Sequence, residues 1–245
     1  MKMDKIALVP IKGTIFSEET TSYFPTRMAS SLEIVRLLND VKKNKRVKAL
    51  VMEISSPGGH PFPCKEIAEA IKEIGKPTVA WVRETAASGG YWIASATNVI
   101  VADALSTIGS VGVASFRPDF SEMMKKIGID VNVVTSGIQK RFGLPFVAPS
   151  EEEKQTTEEE IRIIQQLFLT EIRRNRNLSD EVVEQISSGR TFFGEEARKV
   201  GLIDELGGKD KAFEIAARKA KLKSYRISDY TQKLKKRGLL SRLFS

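Results

Sequence analysis

The sequence predicts an α/β fold built on a largely parallel sheet, and three observations predict it. Apolar runs of strand length alternate with amphipathic segments of helical period. The runs are apolar almost throughout, as strands covered on both faces are. Gly-rich turns follow two of them. With 245 residues, 41% of them hydrophobic, the chain is long enough for a substantial core.

Taken in order, residues 5–11 (KIALVPI) give a first strand, and a polar stretch from Gly13 to about residue 30 reads as a loop. SLEIVRLLNDVKKN spaces Leu32, Val35, Leu38 and Val41 as one helical stripe. VKALVMEIS (47–55) is the second strand, and SPGGHPFP ends it. CKEIAEAIKEIG (64–75) is a helix that stops at Gly75 with Pro77 beyond. TVAWVR (78–83) is a third, buried strand. Beyond the serine-containing turn, NVIVAD, IGSVGVAS and VNVVTS (131–136) read as further strands, with FSEMMKKIG as a helix between the last two. The strand and helix alternation implies right-handed crossovers.

From Pro149 onward the chain is expected to be helical. One long helix starts in a run of acids and ends near Arg173, Arg174 and Arg176, a polarity that suits the helix dipole. Shorter helices follow in LSDEVVEQISSGR, FGEEARKVG and GGKDKAFEIAARKAK. Residues 1–228 are read as a single domain and 229–245 as a tail.

Composition narrows the chemistry. One cysteine, Cys64, and one histidine, His60, give no disulfide framework and no zinc-ligand cluster, so neither a metal nor another cofactor is expected. No window reaches the roughly 18–20 apolar residues of a spanning helix. The net charge of +8 is concentrated in the tail, where Lys233, Lys235, Lys236, Arg237 and Arg242 occur without an acid. Leu234, Leu239, Leu240, Leu243 and Phe244 lie opposite them, the pattern of a helix lying in a membrane surface. Frayed, solvated terminus is the competing reading, and an excursion of the tail into a catalytic groove is a third. The expected location is cytoplasmic or peripheral to a membrane, and membrane-anchored if an N-terminal anchor has been removed.

Two glycine pairs, S55-S56-P57-G58-G59 and A86-A87-S88-G89-G90, follow the second and third strands. Loops at the carboxyl ends of neighbouring strands meet in one crevice. Glycine lets the backbone approach a substrate closely, so Gly59 and Gly89 are candidate amide donors to an oxyanion, with Ser88 as nucleophile. Ordinary tight turns are the simpler reading of either pair alone.

The base is less direct. His60 is flanked by Pro61 and Pro63, which restrict its reach and suit a rim position, and no placed acid completes a triad. Lysine is the alternative. At pH 7 a solvated amine with pKa near 10.4 is neutral in about one molecule in 2,500, so burial must lower it by roughly 3 units, about 4 kcal/mol. Lys140, beyond the expected strand VNVVTS, is the candidate for such dry surroundings, although a strand-end lysine is more often solvated.

The ordered set SPGG, AASGGYWIA, TIGSVGV, TSGIQK and GRTFFGEEARKVGLIDELGG resembles the signal peptide peptidase A family of serine peptidases over residues 6–220. The resemblance implies a ClpP/crotonase-like fold of repeated strand–strand–helix units with a helical C-terminal region, and a Ser–Lys dyad that cleaves hydrophobic, extended peptides such as signal peptide remnants. Position by position it makes Ser88 the nucleophile, Lys140 the general base, Ser110 the hydroxyl that orients the lysine, and Gly59 and Gly89 the oxyanion hole. It also implies a ring-like homo-oligomer whose subunits share catalytic residues, and peptides rather than nucleic acid as partners. The HPFP sequence after SPGG departs from the family pattern, as does R141-F142-G143 after Lys140. A crotonase-like acyl-CoA enzyme and a non-catalytic membrane-associated scaffold are the competing functions.

Overall fold

The computed structural model describes residues 3–18 and 28–231. Its elements are β1 (Lys5–Lys12), β2 (Thr14–Phe16), β3 (Met28–Ser30), α1 (Ser31–Lys43), β4 (Val47–Ser56), α2 (Pro61–Lys72), β5 (Thr78–Ala87), α3 (Gly89–Ser95), β6 (Val99–Ala102) and β7 (Thr107–Gly109). There follow α4 (Ser121–Lys126), a 3-10 turn (Ile138–Arg141), α5 (Glu151–Arg176), α6 (Asp180–Ser187), β8 (Thr191–Phe193), α7 (Gly194–Lys199), β9 (Glu205–Leu206), α8 (Lys209–Lys219) and β10 (Arg226–Asp229). The proposed membrane-facing tail lies, from residue 232 on, outside the described residues.

Two units are described separately: Val113–Leu167, and the residues on either side of it. In the larger unit the strands run β10-β1-β4-β5-β6-β9, every neighbouring pair parallel. The period-2 alternation of strand side chains explains why these sequences are apolar throughout. Ala7, Val9 and Ile11 of β1 with Leu50, Met52 and Ile54 of β4 enter one core, which includes Leu38, Ile67 and Trp92 from α1, α2 and α3. Ile6, Leu8, Ala49 and Val51 enter the other, closed by Phe213, Ile215 and Ala216 of α8.

Several boundaries differ from expectation for identifiable reasons. The buried stripe of α1 is Ile34, Leu37, Leu38 and Val41, with Leu32 and Val35 half-buried, because the apolar face follows the i, i+3, i+4, i+7 pattern. Helix α2 starts three residues earlier than Cys64, since Pro61 fits the first helical position, where no N–H is needed. The stretch from Gly13 to residue 30 contains β2 and β3, which pair in parallel. Strand β5 runs on through Arg83 and Glu84 because it changes partners: Val79–Val82 pair with β6 and Thr85–Ala87 with β7. The strand expected from IGSVGVAS is only Thr107–Gly109, since Ser110 turns the chain at φ 51°.

In the smaller unit the expected strand at 131–136 does not form. A strand needs a neighbour for its amides, and none is bonded to this segment among the described residues; Val131 and Val134 are exposed. Polar contacts hold this unit. The Arg117 guanidinium contacts the carbonyls of Leu144 and Val147 and lies 2.9 Å from the Glu153 carboxylate, which also accepts from the Gly143 N–H at 2.8 Å.

Candidate active site

Strands β4 and β5 end at the same level, with Ser56 opposite Ala86, so the two glycine-rich turns emerge side by side. They touch. A Cβ placed on Gly58 would lie 2.9 Å from the Ser88 Cβ and 2.8 Å from the Gly89 nitrogen. Ser88 is the residue between β5 and α3, half-buried, at φ 49° and ψ −124°. A positive φ in a serine costs on the order of 1–3 kcal/mol and persists only where the surroundings enforce it. Here the Ser88 N–H donates to the Gly109 carbonyl at 2.8 Å, while the Ser88 carbonyl accepts from Tyr91 and Trp92.

The core fixes α3 behind the serine. Trp92 stacks on Phe168 at 4.5 Å and donates from Nε1 to Glu171 at 3.1 Å; the Tyr91 hydroxyl donates to the Leu202 carbonyl at 2.8 Å. Burial pushes the Glu171 carboxyl upward, but hydrogen bonds from Trp92 and Lys72 outweigh it and hold the group below its ordinary value. Burial and the nearby Asp204 raise the Tyr91 hydroxyl.

Gly59 is built into a short parallel ladder. Ile15 donates to the Gly58 carbonyl and accepts from the His60 N–H, each at 2.9 Å. In that pattern the N–H and C=O of Gly59 itself point away from β2. No side chain fits here, since a Cβ would fall 2.0 Å from the Ile15 carbonyl oxygen. Gly89 is equally constrained: its Cβ would stand 2.2 Å from the Cys64 Sγ and 3.5 Å from the Gly59 nitrogen. Neither the Gly59 nor the Gly89 amide donates to any group among the described residues of this unit. Two free N–H groups thus flank a serine at a strained strand-to-helix turn, an arrangement suited to a carbonyl oxygen that gains negative charge. Cys64, beneath them, is fully buried, and burial pushes its thiol up to about 12, so it is no nucleophile at neutral pH.

Ser110 lies on the neighbouring strand end. Ala87 pairs with Gly109, so the next residues, Ser88 and Ser110, leave β5 and β7 together, both at positive φ. The Ser110 N–H donates to the Arg190 carbonyl at 2.8 Å, and β8 pairs antiparallel with β7. Arg190–Phe192, within the GRTFF motif, buttresses the turn that holds Ser110, a role that the sequence pattern alone does not reveal.

The structure therefore gathers Ser88, Gly59, Gly89 and Ser110 in the larger unit. Lys140 belongs to the smaller one. It sits on the 3-10 turn, its N–H bonded to the Gly137 carbonyl at 3.0 Å, beside a shallow hollow lined by Gly137–Lys140. Its side chain is exposed, so neither the strand nor the dry surroundings expected of it exist in the isolated chain. His60 is exposed at the start of α2, a rim position as expected.

Residues 70–223 match the model of peptidase family S49. The chain belongs to that family. Among similar proteins, one of Methanocaldococcus jannaschii named as a protease is 30% identical over 93% of this chain and 74% of its own length. A protein of Enterococcus faecium named as a signal peptide peptidase is 28% identical over 92% of this chain and 67% of its own. Serine protease SPPA of the Arabidopsis thaliana chloroplast is 30% identical over 89% of the chain, which spans only a third of that relative. The S49 chain is also similar to two solved structures of the 1510-N membrane-bound stomatin-specific protease. One is a serine-to-alanine mutant (TM-score 0.58, 16% identity, 94% of this chain and 98% of that one). The other is a lysine-to-alanine mutant in complex with a substrate peptide (0.55, 18%, 89% and 81%). These likenesses bear out the ClpP/crotonase-like fold, and the family makes the protein a serine peptidase. Among the described residues no helix is long and apolar enough to cross a membrane.

Proposed function

We propose that this S49 peptidase hydrolyses hydrophobic, extended peptides of the signal peptide remnant type, with Ser88 as nucleophile and Lys140 as its base. The observation that carries the reading is the pair of unengaged amides, Gly59 and Gly89, beside a serine held at positive φ. Neutral Lys140 takes the Ser88 proton, Ser88 Oγ attacks the scissile carbonyl, and the two amides bind the oxyanion. Lys140 then returns the proton to the leaving amine and activates the water that releases the acyl group. Ser110 orients the amine.

An exposed amine cannot be this base, so Lys140 acts only once covered. Ile138 and Val134, near it in sequence, are 51% and 90% exposed, and a second copy of the chain laid over such side chains would dry the amine. A homo-oligomer is therefore part of the proposal. The tail from Lys233 onward adds contact with an anionic membrane surface; vesicle binding that survives replacement of Lys233, Lys235, Lys236 and Arg237 by serine would remove that element.

A fluorophosphonate probe tests the dyad. Labelling of the wild type that disappears in both Ser88→Ala and Lys140→Ala supports it; labelling that survives in Lys140→Ala removes the lysine. The pH–rate profile with a labelled hydrophobic peptide is expected to rise with pH to a plateau in the wild type, and that rise to be lost in Lys140→Ala.

A further inference from the structure

The HPFP departure places an aromatic pair one residue from the oxyanion site. Gly59 and Ile15 are paired, so the residues that follow them, His60 and Phe16, come off the same side of the ladder, opposite the fully buried Ile15. Their rings meet edge to face, with centroids 4.8 Å apart and planes 66° apart. His60 is exposed and Phe16 half-buried, so the pair shows ring surface to solvent. Pro61 and Pro63 stiffen the backbone directly after it, and His60 itself, at φ −63° and ψ 139°, has the extended conformation that a following proline favours.

Such a wall has no packing duty visible in the core. Its place is set by the Gly59 amide: a substrate whose scissile carbonyl rests on Gly59 and Gly89 brings the side chains flanking that carbonyl beside the residue after Gly59. A third ring fits an edge-to-face pair better than a branched aliphatic chain of similar area, because ring faces and edges carry complementary partial charge.

We propose that Phe16 and His60 form the wall of a side-chain subsite adjacent to the scissile bond, and that this subsite selects aromatic over aliphatic side chains. The proposal rests on the assignment of Gly59 and Gly89 as oxyanion donors. Within it, His60 is a specificity-determining residue, not the base.

Quenched peptides carrying Phe, Leu or Ala at the positions flanking one cleavage site test it, with kcat/KM measured for wild type, His60→Ala and Phe16→Leu. The expected result is a Phe over Leu preference of about fivefold to tenfold in the wild type that falls to near unity in His60→Ala, Phe16→Leu giving a smaller fall in the same direction. A loss of equal size for all peptides, or a preference that survives in His60→Ala, overturns the subsite. Binding of the same peptides to Ser88→Ala, followed by fluorescence anisotropy, keeps the readout separate from the chemistry. If Ser88→Ala still hydrolyses peptides, the nucleophile assignment falls. The His60 effect on the anisotropy ranking then still decides the subsite.

Discussion

The two units of this chain solve the problem of apolar surface in opposite ways. In the larger one, two apolar layers close around the sheet, and Trp92, Tyr91, Phe168 and Phe192 are fully or almost fully buried. Between Val113 and Leu167 no large apolar side chain is buried among the described residues; Phe116 and Val134 are 92% and 90% exposed, and Ile127 and Ile163 above 60%. What is buried there is polar, Ser121 and Glu153. The larger unit is held by hydrophobic burial, the smaller by a charged pair and backbone hydrogen bonds. The difference teaches where each part of the chemistry can be completed. Ser88 and the Gly59 and Gly89 amides are fixed by a core that the chain owns, whereas Lys140, the proposed base, stands exposed on a unit without such a core, and under that proposal its dry environment has to come from surfaces laid over it.

Four measurements would break or sharpen this contrast. Trp92→Ala removes the stack on Phe168 and the Glu171 hydrogen bond and is expected to cost about 3–5 kcal/mol in urea unfolding. A cost below 1 kcal/mol would mean that the core behind α3 does not support the larger unit. Arg117→Ala leaves the Glu153 carboxylate, whose side chain is 8% accessible, without its cation and is expected to cost about 3 kcal/mol locally. Amide exchange would rise through residues 113–167 with protection of β1, β4 and β5 retained; a uniform rise would dissolve the distinction between the units.

Glu171 supplies a pH test of the larger unit. Its carboxyl is held below its ordinary 4.5 in the folded chain, so its contribution is present above that pH and is lost as pH falls through the folded value. Glu171→Gln is expected to be less stable than wild type by about 1–2 kcal/mol near neutrality, the gap narrowing in acid. A gap that widens below pH 4.5 would reverse the sign argued here. Smallest of all is Phe116→Ser combined with Val134→Ser, expected to change unfolding of the single chain by no more than about 0.5 kcal/mol per site. Sedimentation is where it would register, as a shift to smaller species; an unchanged profile would argue against covering of this surface by a second copy.

The same contrast explains what could be read from sequence. In the larger unit the alternating cores print themselves on β1, β4 and β5, and the glycine pairs mark close approaches that no other residue tolerates at Gly59 and Gly89. The end of β5 was illegible because Arg83 and Glu84 look like a strand terminus, while the hydrogen bonds that extend it come from β7. VNVVTS has the pattern of a strand, but pattern does not supply a partner, and the segment stays unpaired in the single chain. Lys140 is singled out by its place beyond that expected strand and by the resemblance, and in the isolated chain its surroundings are open.

The change of partners along β5 has a consequence for biosynthesis. The backbone of Ser88 is anchored to Gly109, and the strand that ends at Gly109 is flanked on its far side by Thr191–Phe193, encoded much later. While the ribosome is still adding the residues between them, the turn that holds Ser88 lacks the β8 side of its support. The turn that carries Ser88 is thereby completed only after Thr191–Phe193 have been synthesised.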